Sequence, residues 1–367
     1  MKIDDKTSHN SPSLRFPEFT GEWENTTLEE CVDFLDGQRK PIKSDDRKGE
    51  KRLYPYYGAS GIIDYIDEYI FDGDYILLSE DGANIIDRNY RVAFIANGKI
   101  WVNNHAHVLQ PHKEMNINFL SEALERINYA IYNTGTTMPK LNQEICRKIN
   151  LNVPSLSEQN KIGNLLYLLN ERIATQNRLI DRLQSLMKGI RHRIINEAKG
   201  KIVCLCEVSD IYQPQTISSA DLTETGYPVY GANGIIGHYT SYNHEAEQVC
   251  ITCRGNTCGG VNYTKSKSWI TGNAMVVNVD RYQNIVSKRY LYHYLSNCDF
   301  NSIISGSGQP QIVRAPLAKF KIILPTVMQQ YKIAHCLDVI QNKINVNSNI
   351  LNLLIRQKQY LLRKMFI

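Results

Sequence analysis

An internal repeat is the feature that most narrows what this chain can fold into. Residues 55–63 read PYYGASGII and residues 228–236 read PVYGANGII, so seven of the nine positions are identical at a displacement of 173. Similarity at a fixed displacement is typical of duplicated structural units. A chain of 367 residues is long enough to hold two such units as domains of ordinary size.

Further pairs of segments keep the same order, at displacements between 168 and 173. They are residues 76–79 with 249–252, 101–106 with 269–274, 135–141 with 306–312, and 151–156 with 322–327. Because the order is preserved along each copy, we interpret the chain as a tandem duplication.

Each copy combines short β-rich segments with a few helices. The apolar segments are brief, and Gly, Asn and Asp separate them, which is typical of strands joined by tight turns. Helices are predicted over residues 120–131 and 289–295. We therefore predict an α+β fold with two repeated β-rich domains, at residues 15–155 and 200–326, after an N-terminal tail at residues 1–14.

A long helix is predicted after each domain, over residues 156–199 and 327–367. In both helices apolar residues recur at alternating steps of four and three, and the second series follows the first at a constant displacement of 171. The first series is Ile162, Leu166, Leu169, Ile173, Gln176, Ile180, Leu183, Met187, Ile190 and Ile194. The second series is Ile333, Leu337, Ile340, Ile344, Asn347, Leu351, Leu354, Lys358, Leu361 and Met365.

This spacing is the heptad seam of helices that wind about one another. A seam could instead pack onto its own domain, but about 35 unbroken residues exceed what one domain face usually requires. We predict that the two helices pair as an antiparallel coiled coil, with the amides of Gln176 and Asn347 fixing the alignment. Lys358 is expected to splay or to extend towards solvent. The two domains would then be related by an approximate two-fold axis.

Composition excludes several classes of protein. The chain is 43% hydrophobic with a mean hydropathy of −0.35, and no apolar run approaches the ~20 residues of a membrane span. The first residues lack the apolar stretch of a signal peptide. Nine cysteines without secretory features favour free thiols, so we expect a cytoplasmic protein. A net charge of +5 is too small to indicate a nucleic-acid partner by itself.

Several motifs together resemble one known family. They are the segment LRFPEF at residues 14–19 followed by Glu22 and Trp23, the doubled YGA-x-G element, the Gly…Pro loops at residues 135–139 and 306–310, and the Gln-x-Lys-Ile segments at 159–162 and 330–333. In this order they resemble the specificity (S) subunit of type I restriction–modification enzymes, and the resemblance covers essentially the whole chain.

The resemblance implies a function and a set of partners. Each copy would be a target recognition domain that reads one half of a split sequence in double-stranded DNA. The paired helices would separate the halves and bind two DNA-adenine methyltransferase (M) subunits, and endonuclease/translocase (R) subunits would join the complex. The chain itself would be non-catalytic and hold no cofactor, because the partner subunits would use S-adenosylmethionine, ATP and Mg²⁺. No membrane role is expected.

Loops with amide, hydroxyl or basic side chains are the candidates for DNA contact, because such groups bind base edges and phosphates. Four loops in each copy qualify. The candidates in the first copy are Gln38, Arg39, Lys40, Ser60, Asn84, Thr136, Thr137 and Lys140. The candidates in the second copy are Gln213, Gln215, Thr216, Asn233, Arg254, Asn256, Ser307, Gln309 and Gln311. Gly and Pro in these loops could serve only to turn the chain, and Tyr57 and Tyr230 are expected to pack rather than stack on bases.

The predicted helices carry the basic charge. Residues 158–199 and 328–367 hold nine more basic than acidic side chains, whereas the rest of the chain holds four more acidic than basic ones. DNA-binding domains usually have basic surfaces. Either basic patches are local to parts of the domains or the partner methyltransferases supply much of the phosphate contact, and we expect both together.

Signals of catalysis are weak. The chain has no Pro-Pro dipeptide, which a DNA-amine methyltransferase motif would contain, and no GxxxxGK[ST] loop for ATP. Cys250, Cys253 and Cys258, with Cys204 and Cys206, lack a clean fourth zinc ligand, and His105 and His107 could bind a metal or simply hydrogen-bond. A zinc-dependent enzyme and a two-headed protein adaptor without DNA binding remain as alternatives.

Overall fold

The computed structural model describes residues 10–47, 51–232, 234–306 and 308–367. By its contacts the chain divides into two compact units. Unit 1 is the chain up to Asn177 together with Ile350–Ile367, and unit 2 is Arg178–Asn349. Each long helix therefore contributes one part to each unit.

Unit 1 is built on a six-stranded sheet with the strand order β2-β7-β5-β6-β3-β4. The strands are β1 (Glu24–Thr27), β2 (Val32–Phe34), β3 (Tyr54–Gly58), β4 (Gly61–Ile66), β5 (Phe71–Ser79), β6 (Ala93–Val102), β7 (Ala106–Pro111) and β8 (Asn150–Val153). The helices are α1 (Leu28–Cys31), α2 (Asn84–Asp87), α3 (Ile117–Glu125), α4 (Gln143–Arg147) and the first part of α5 (Leu156–Glu197). Strands β1 and β8 form a separate antiparallel pair.

Unit 2 repeats this plan with shorter strands. The strands are β9 (Lys201–Cys204), β10 (Asp210–Tyr212), β11 (Tyr227–Gly231), β12 (Gly234–Tyr239), β13 (Val249–Thr252), β14 (Val261–Tyr263), β15 (Trp269–Ile270), β16 (Ala274–Asn278), β17 (Ile304–Ser305), β18 (Gln311–Ile312) and β19 (Lys321–Leu324). The helices are α6 (Leu205–Val208), α7 (Lys288–Leu295), α8 (Arg314–Ala318) and α9 (Val327–Met365). The main sheets have the orders β10-β16-β13-β14 and β12-β11-β15.

Matching strands pair in the same way in the two units, as the repeat predicts. The hairpin β3–β4 is antiparallel with a register shift after Tyr56, and β11–β12 has the same shift after Val229. Each hairpin also pairs in parallel with the strand that carries the repeated tryptophan, Trp101 or Trp269. Gly61 and Gly234 open the second strand at positive φ, +131° and +83°, where a residue with a Cβ would be strained.

The long helices begin and pair as predicted. Helix α5 begins at Leu156 and α9 at Val327, and all twenty seam positions are buried or half-buried. Within unit 1, Ile162 and Leu166 share a core with Met365. Within unit 2, Met187 packs with Leu337 and Ile344. Early residues of one helix thus meet late residues of the other, which is the antiparallel order.

A buried glutamine joins the first turn of each long helix to the domain that precedes that helix in the chain. Gln159 donates from Nε2 to the carbonyls of Pro154 and Glu114 at 3.0 and 3.2 Å, and its Oε1 accepts from the N–H of Asn116 at 2.9 Å. Gln330 makes the same three contacts, with Pro325, Ile285 and Ser287. Asn116 and Ser287 are the N-caps of α3 and α7. Each glutamine therefore fixes a long helix against the start of a domain helix.

Two expectations about helices are corrected. The helix predicted over residues 120–131 is instead α3, which ends at Glu125, followed by a separate 3₁₀ turn at Tyr129–Tyr132 that the Asn128 side chain caps. Lys358 does not splay or extend to solvent, because its Nζ donates to Oε1 of the buried Glu122 at 3.0 Å. The buried carboxylate of Glu122 thus balances the positive charge that Lys358 places in the apolar seam.

In the described part of the chain, no helix is both long and apolar enough to cross a membrane.

Candidate nucleic-acid interface

Hydrogen bonds of the backbone and of side chains bring the four candidate loops of unit 1 together. The N–H of Gly82 donates to Pro139 O at 3.0 Å, and the N–H of Leu141 donates to Glu80 O at 2.7 Å. The hydroxyl of Ser79 donates to Ala59 O, which ties in the hairpin loop. Arg39 donates to Glu80 and so ties in the first loop. The loops at residues 36–40, 59–61, 80–84 and 135–140 therefore form one cluster.

Five charged side chains, Asp36, Arg39, Glu80, His107 and Lys140, connect three of these loops; we call them the charged loop network. His107 Nδ1 lies 2.6 Å from Asp36 Oδ2, and its Nε2 lies 2.8 Å from Leu141 O. Arg39 Nη1 donates to Glu80 Oε2 at 2.7 Å, and Lys140 Nζ lies 3.4 Å from Glu80 Oε1.

The partners of His107 determine its charge. A backbone carbonyl can only accept, and an ionised carboxylate can only accept, so both ring nitrogens carry a proton and the ring is a cation. Burial opposes this charge, but the interactions with Asp36 and Cys146 raise the pKa of His107 to about 10. The pKa of Asp36 is held below its usual value by His107, although burial acts in the opposite direction.

The same geometry disfavours a metal at this place. In the described part of the chain, one group of three or more His, Cys, Asp or Glu residues has its possible metal-ligand atoms within 4.8 Å of one another, and it consists of Asp36, Glu80 and His107. A histidine ligand needs a free lone pair on a ring nitrogen. Neither nitrogen of His107 offers one, and Arg39 and Lys140 already neutralise Glu80. The group is therefore a hydrogen-bonded ion network.

Unit 2 builds its loop cluster with equivalent backbone contacts. The N–H of Gly255 donates to Pro310 O at 3.1 Å, and the N–H of Ile312 donates to Cys253 O at 3.0 Å. The hydroxyl of Thr252 donates to Ala232 O, as that of Ser79 does to Ala59 O in unit 1. The isolated bridge between Arg254 and Gln311 matches the bridge between Asp81 and Lys140.

The side chains of the second cluster are neutral where the first cluster is charged. Strand register aligns His107 with Met275, since Leu78 faces His107 and Ile251 faces Met275. The shared backbone contacts align Glu80 with Cys253 and Lys140 with Gln311. Strand register also aligns Phe34 of β2 with Ile211 of β10. Asp36 lies two residues after Phe34, and Gln213 lies two residues after Ile211. Gln213 donates to Gly272 O.

Most of the predicted DNA-contacting side chains are exposed on these clusters. They are Gln38, Lys40, Ser60, Thr136, Thr137, Lys140, Gln213, Gln215, Thr216, Arg254, Asn256 and Gln309. Arg39, Asn84 and Gln311 are half-buried. Asn233 and Ser307 lie outside the described residues.

Four of the described candidates have side chains with structural partners, and one of them is Lys140, which pairs with Glu80. Arg39 binds Glu80 and the carbonyl of Ala106, so its guanidinium serves the loop network. The amide of Asn84 donates to Tyr90 O at 3.1 Å and accepts from Tyr90 N at 2.7 Å. Gln213 Nε2 donates to Gly272 O. Tyr57 and Tyr230 are half-buried and buried, and the hydroxyl of Tyr230 accepts from Lys265 N.

Sequence reasoning missed the acidic members of the network. Asp36 and Glu80 lie inside two candidate loops, yet loop chemistry alone indicates only their amide and basic neighbours as DNA contacts. The signal is that the set of candidate loops holds both acidic residues, Asp36 and Glu80, and basic residues, Arg39 and Lys140. Such a pattern predicts ion pairs between loops as readily as contacts with phosphates.

The candidate zinc ligands do not gather. Cys250 and Cys253 are buried, Cys204 and Cys258 are half-buried, and Cys206 is exposed. None of them belongs to a cluster of three ligand atoms among the residues that the structure describes. His105 Nδ1 pairs with Asp81 at 2.8 Å, while His107 faces Asp36, so the two imidazoles have separate carboxylate partners.

A buried polar group lies where each domain meets the long helices. In unit 1, Oε1 of Glu122 accepts from Arg91, Asn170 and Lys358 at 2.7 to 3.0 Å. In unit 2, His293 is fully buried and its Nε2 lies 2.7 Å from Asp338. Burial lowers the pKa of His293 to about 4 despite Asp338, so this ring is neutral.

Comparison with known proteins gives consistent matches along the whole chain. The family described as "Type I restriction modification DNA specificity domain" matches twice, at residues 20–185 and 198–356. A putative type I restriction enzyme specificity subunit of Haemophilus influenzae is 26% identical over 362 residues, covering 92% of both chains. A putative type I specificity subunit of Mycoplasma pneumoniae is 25% identical over 338 residues, covering 86% of this chain and 89% of the relative.

One solved structure has the same fold. It is the crystal structure of a type I restriction–modification system S subunit from M. genitalium, which superposes with a TM-score of 0.76 at 17% sequence identity. The match covers 97% of this chain and 99% of that one.

Proposed function

The chain belongs to the type I restriction–modification DNA specificity family, and from this premise we propose that it reads a bipartite DNA target. The target would consist of two short specified tracts separated by an unspecified spacer. The observation that carries the proposal is the pair of loop clusters, which share one backbone scaffold and differ in their exposed side chains. Because the exposed side chains differ, the two tracts should differ in sequence.

The exposed groups of each cluster suit groove reading. Amides such as Gln38 and Gln215 can contact base edges, and Arg254 can donate to a guanine or a phosphate. Hydroxyls such as those of Thr136 and Thr137 can bind phosphate oxygens. Loop residues held by a rigid scaffold present these groups without a large loss of entropy on binding.

In this proposal the long helices set the spacer. Helix α5 has 42 residues and α9 has 39. At 1.5 Å per residue these are rods of about 63 and 58 Å. Their paired seam would fix the distance between the specified tracts, and no base would be read in between.

The chain is a non-catalytic subunit, so the chemistry belongs to its partners. We propose that two methyltransferase subunits bind the helices and that endonuclease subunits join the same complex in the cytoplasm. S-adenosylmethionine, ATP and Mg²⁺ would be used by those partners. The excess of basic over acidic side chains at residues 158–199 and 328–367 makes these segments suited to acidic protein surfaces.

Mapping of methylated adenines in cells with and without this chain tests the proposal directly. We expect one two-part methylated sequence that disappears when the chain is deleted. Inserting seven residues in both helices, in register with the seam, should lengthen the unspecified spacer and leave both tracts unchanged. A methylation pattern that is independent of the chain, or a pattern without two parts, would contradict the proposal.

Binding by the isolated chain tests the share that the partners contribute. We expect weak DNA binding by the chain alone, and tight, sequence-specific binding only with the methyltransferase, because outside the helical segments acidic side chains outnumber basic ones. A fluorescence titration at several salt concentrations measures both. Tight specific binding by the isolated chain would show that the partners add little phosphate contact.

A further inference from the structure

His107 occupies the centre of the charged loop network without being available to DNA. Its side chain is 1% exposed, and both ring nitrogens have partners within 2.8 Å. It can neither read a base nor bind a phosphate. Any effect of His107 on recognition must therefore act through the loops that it holds.

The network fixes both ends of the first loop. Asp36 begins the 3₁₀ turn Asp36–Gln38, and its Oδ1 accepts from the N–H of Val108 at 2.9 Å while Oδ2 faces His107. Arg39 is the C-cap that follows the turn, and it binds Glu80 at 2.7 Å and Ala106 O at 2.8 Å. The exposed Gln38 lies between these two anchored residues, so the network determines where its amide can reach.

The network also fixes the last loop. Lys140 pairs with Glu80, and the next residue, Leu141, presents its carbonyl to His107 Nε2. Exposed Thr136 and Thr137 precede this anchored end. The same imidazolium thus connects, through Asp36 and Leu141, two loops that carry candidate DNA contacts.

Unit 2 shows that the backbone arrangement does not require these charges. Cys253, Met275 and Gln311 take the places of Glu80, His107 and Lys140, and the equivalent backbone contacts still form. The fold therefore does not need the charged loop network. Because the network links three loops, its effect is on how those loops are placed relative to one another.

We propose that His107 is a positioning residue for sequence recognition. With Asp36 and Glu80 it holds the loops at residues 36–40, 80–84 and 135–140 in the arrangement that presents unit 1 to its half of the DNA target. Recognition of the other half, by unit 2, does not depend on it. This inference rests on the proposed function, because it assigns the role within a two-part target.

The test uses the full chain in complex with its methyltransferase partner and a DNA library randomised across both tracts and the spacer. His107→Met gives unit 1 the residue that unit 2 has at position 275. We expect at least a tenfold loss of preference at the specified positions of one tract and no change at the other. Met275→Leu, which conserves volume at the matching place in unit 2, is the control and should leave the first tract unchanged.

Hydrogen exchange of the same variant provides a second measurement. Amides of the three loops should exchange about tenfold faster in His107→Met, while those of strands β5 and β6 keep their wild-type rates. Should His107→Met fail to fold, Glu80→Gln carries the same test, because it keeps the shape of the side chain and removes the charge that binds Arg39 and Lys140.

The outcomes separate the inference from the proposed function. Unchanged preference at both tracts, or equal loss at both, overturns the positioning role while the two-part target stands. A wild-type complex that selects no two-part sequence overturns the proposed function itself. Loss confined to one tract, together with faster exchange in the three loops, supports the inference.

Discussion

The loop clusters of the two units have the same backbone contacts and different chemistry. In unit 1 a buried imidazolium, two carboxylates, an arginine and a lysine join the loops. In unit 2 the places of Asp36, His107, Glu80 and Lys140 hold a glutamine, a methionine, a thiol and a second glutamine. The difference teaches that backbone hydrogen bonds define the cluster, so the side chains on it can diverge without loss of the fold.

The charged cluster of unit 1 and the neutral cluster of unit 2 should respond differently to the loss of one side chain. A buried ion network contributes little net free energy to folding while every member is paired. Removing one member leaves the other charges uncompensated in an interior that solvates charge poorly, so the loss of stability is large. Neutral side chains have no such dependence on one another. Unit 1 should therefore have the more fragile loop cluster. The contacts of Gln159 and Gln330 with the domain helices are alike, so they should contribute equally to the stability of the two units.

The largest expected effect tests what the units share. Gln159→Ala and Gln330→Ala each remove three hydrogen bonds from a buried amide and leave backbone partners unsatisfied, so each should lower the free energy of unfolding by about 3 kcal/mol. Denaturant titration with hydrogen exchange resolved by peptide measures both units in one chain.

Gln184→Ala is the matched control for this pair, because Gln184 is an exposed glutamine on α5. It should change the free energy of unfolding by less than about 0.5 kcal/mol. Unequal effects of Gln159→Ala and Gln330→Ala would contradict the equivalence of the two glutamine contacts.

A smaller effect should distinguish the two clusters. Glu80→Ala leaves Arg39 and Lys140 without their carboxylate and should cost unit 1 about 2 kcal/mol, discounted because these groups are partly exposed. Cys253→Ala at the matching place removes only a buried thiol and should cost unit 2 about 1 kcal/mol. Thermal unfolding and peptide-resolved exchange measure both; equal losses would argue against a coupled network.

The response to pH should have opposite signs in the two units. His107 has a pKa of about 10 in the folded chain, above its usual 6.5, so its stabilisation is complete below pH 6.5 and is lost as the pH rises through 10. His293 has a pKa of about 4, so its stabilisation is complete above pH 6.5 and is lost as the pH falls through 4.

Peptide-resolved hydrogen exchange between pH 5 and 9, corrected for intrinsic rates, measures this difference. The alkaline loss should disappear from unit 1 in His107→Met, and the acid loss should diminish in unit 2 in His293→Gln. An alkaline loss that persists in His107→Met would assign it to another group of unit 1.

Periodicity and repetition predicted the architecture well for a physical reason. A heptad seam specifies that a helix must bury one stripe of apolar side chains. The seams at residues 162–194 and 333–365 have the same length and spacing, so each is the most extensive partner available to the other. The duplicated strand and turn residues likewise specified equivalent hairpins, because Gly61 and Gly234 occupy backbone conformations that favour glycine.

The candidate site was predicted as a set of loops but not as a network. Exposed Gln38, Thr136 and Arg254 lie on the clusters where loop chemistry placed them. The pairing of Arg39 with Glu80, 41 residues away, and of His107 with Asp36, 71 residues away, depends on strand register. Local sequence cannot distinguish a basic residue that faces solvent from one that faces an acidic residue of another loop.

By itself, the amino-acid sequence determined two copies of one α+β unit, two long helices with matching seams, and the polar loops, because these follow from local spacing and composition. Only the tertiary structure decided that unit 1 joins its loops through a buried cation, that unit 2 does so without charge, and that Lys358 meets Glu122. These arrangements depend on distances between residues far apart in the chain, and a charge gains or loses free energy only through the partners that folding brings to it.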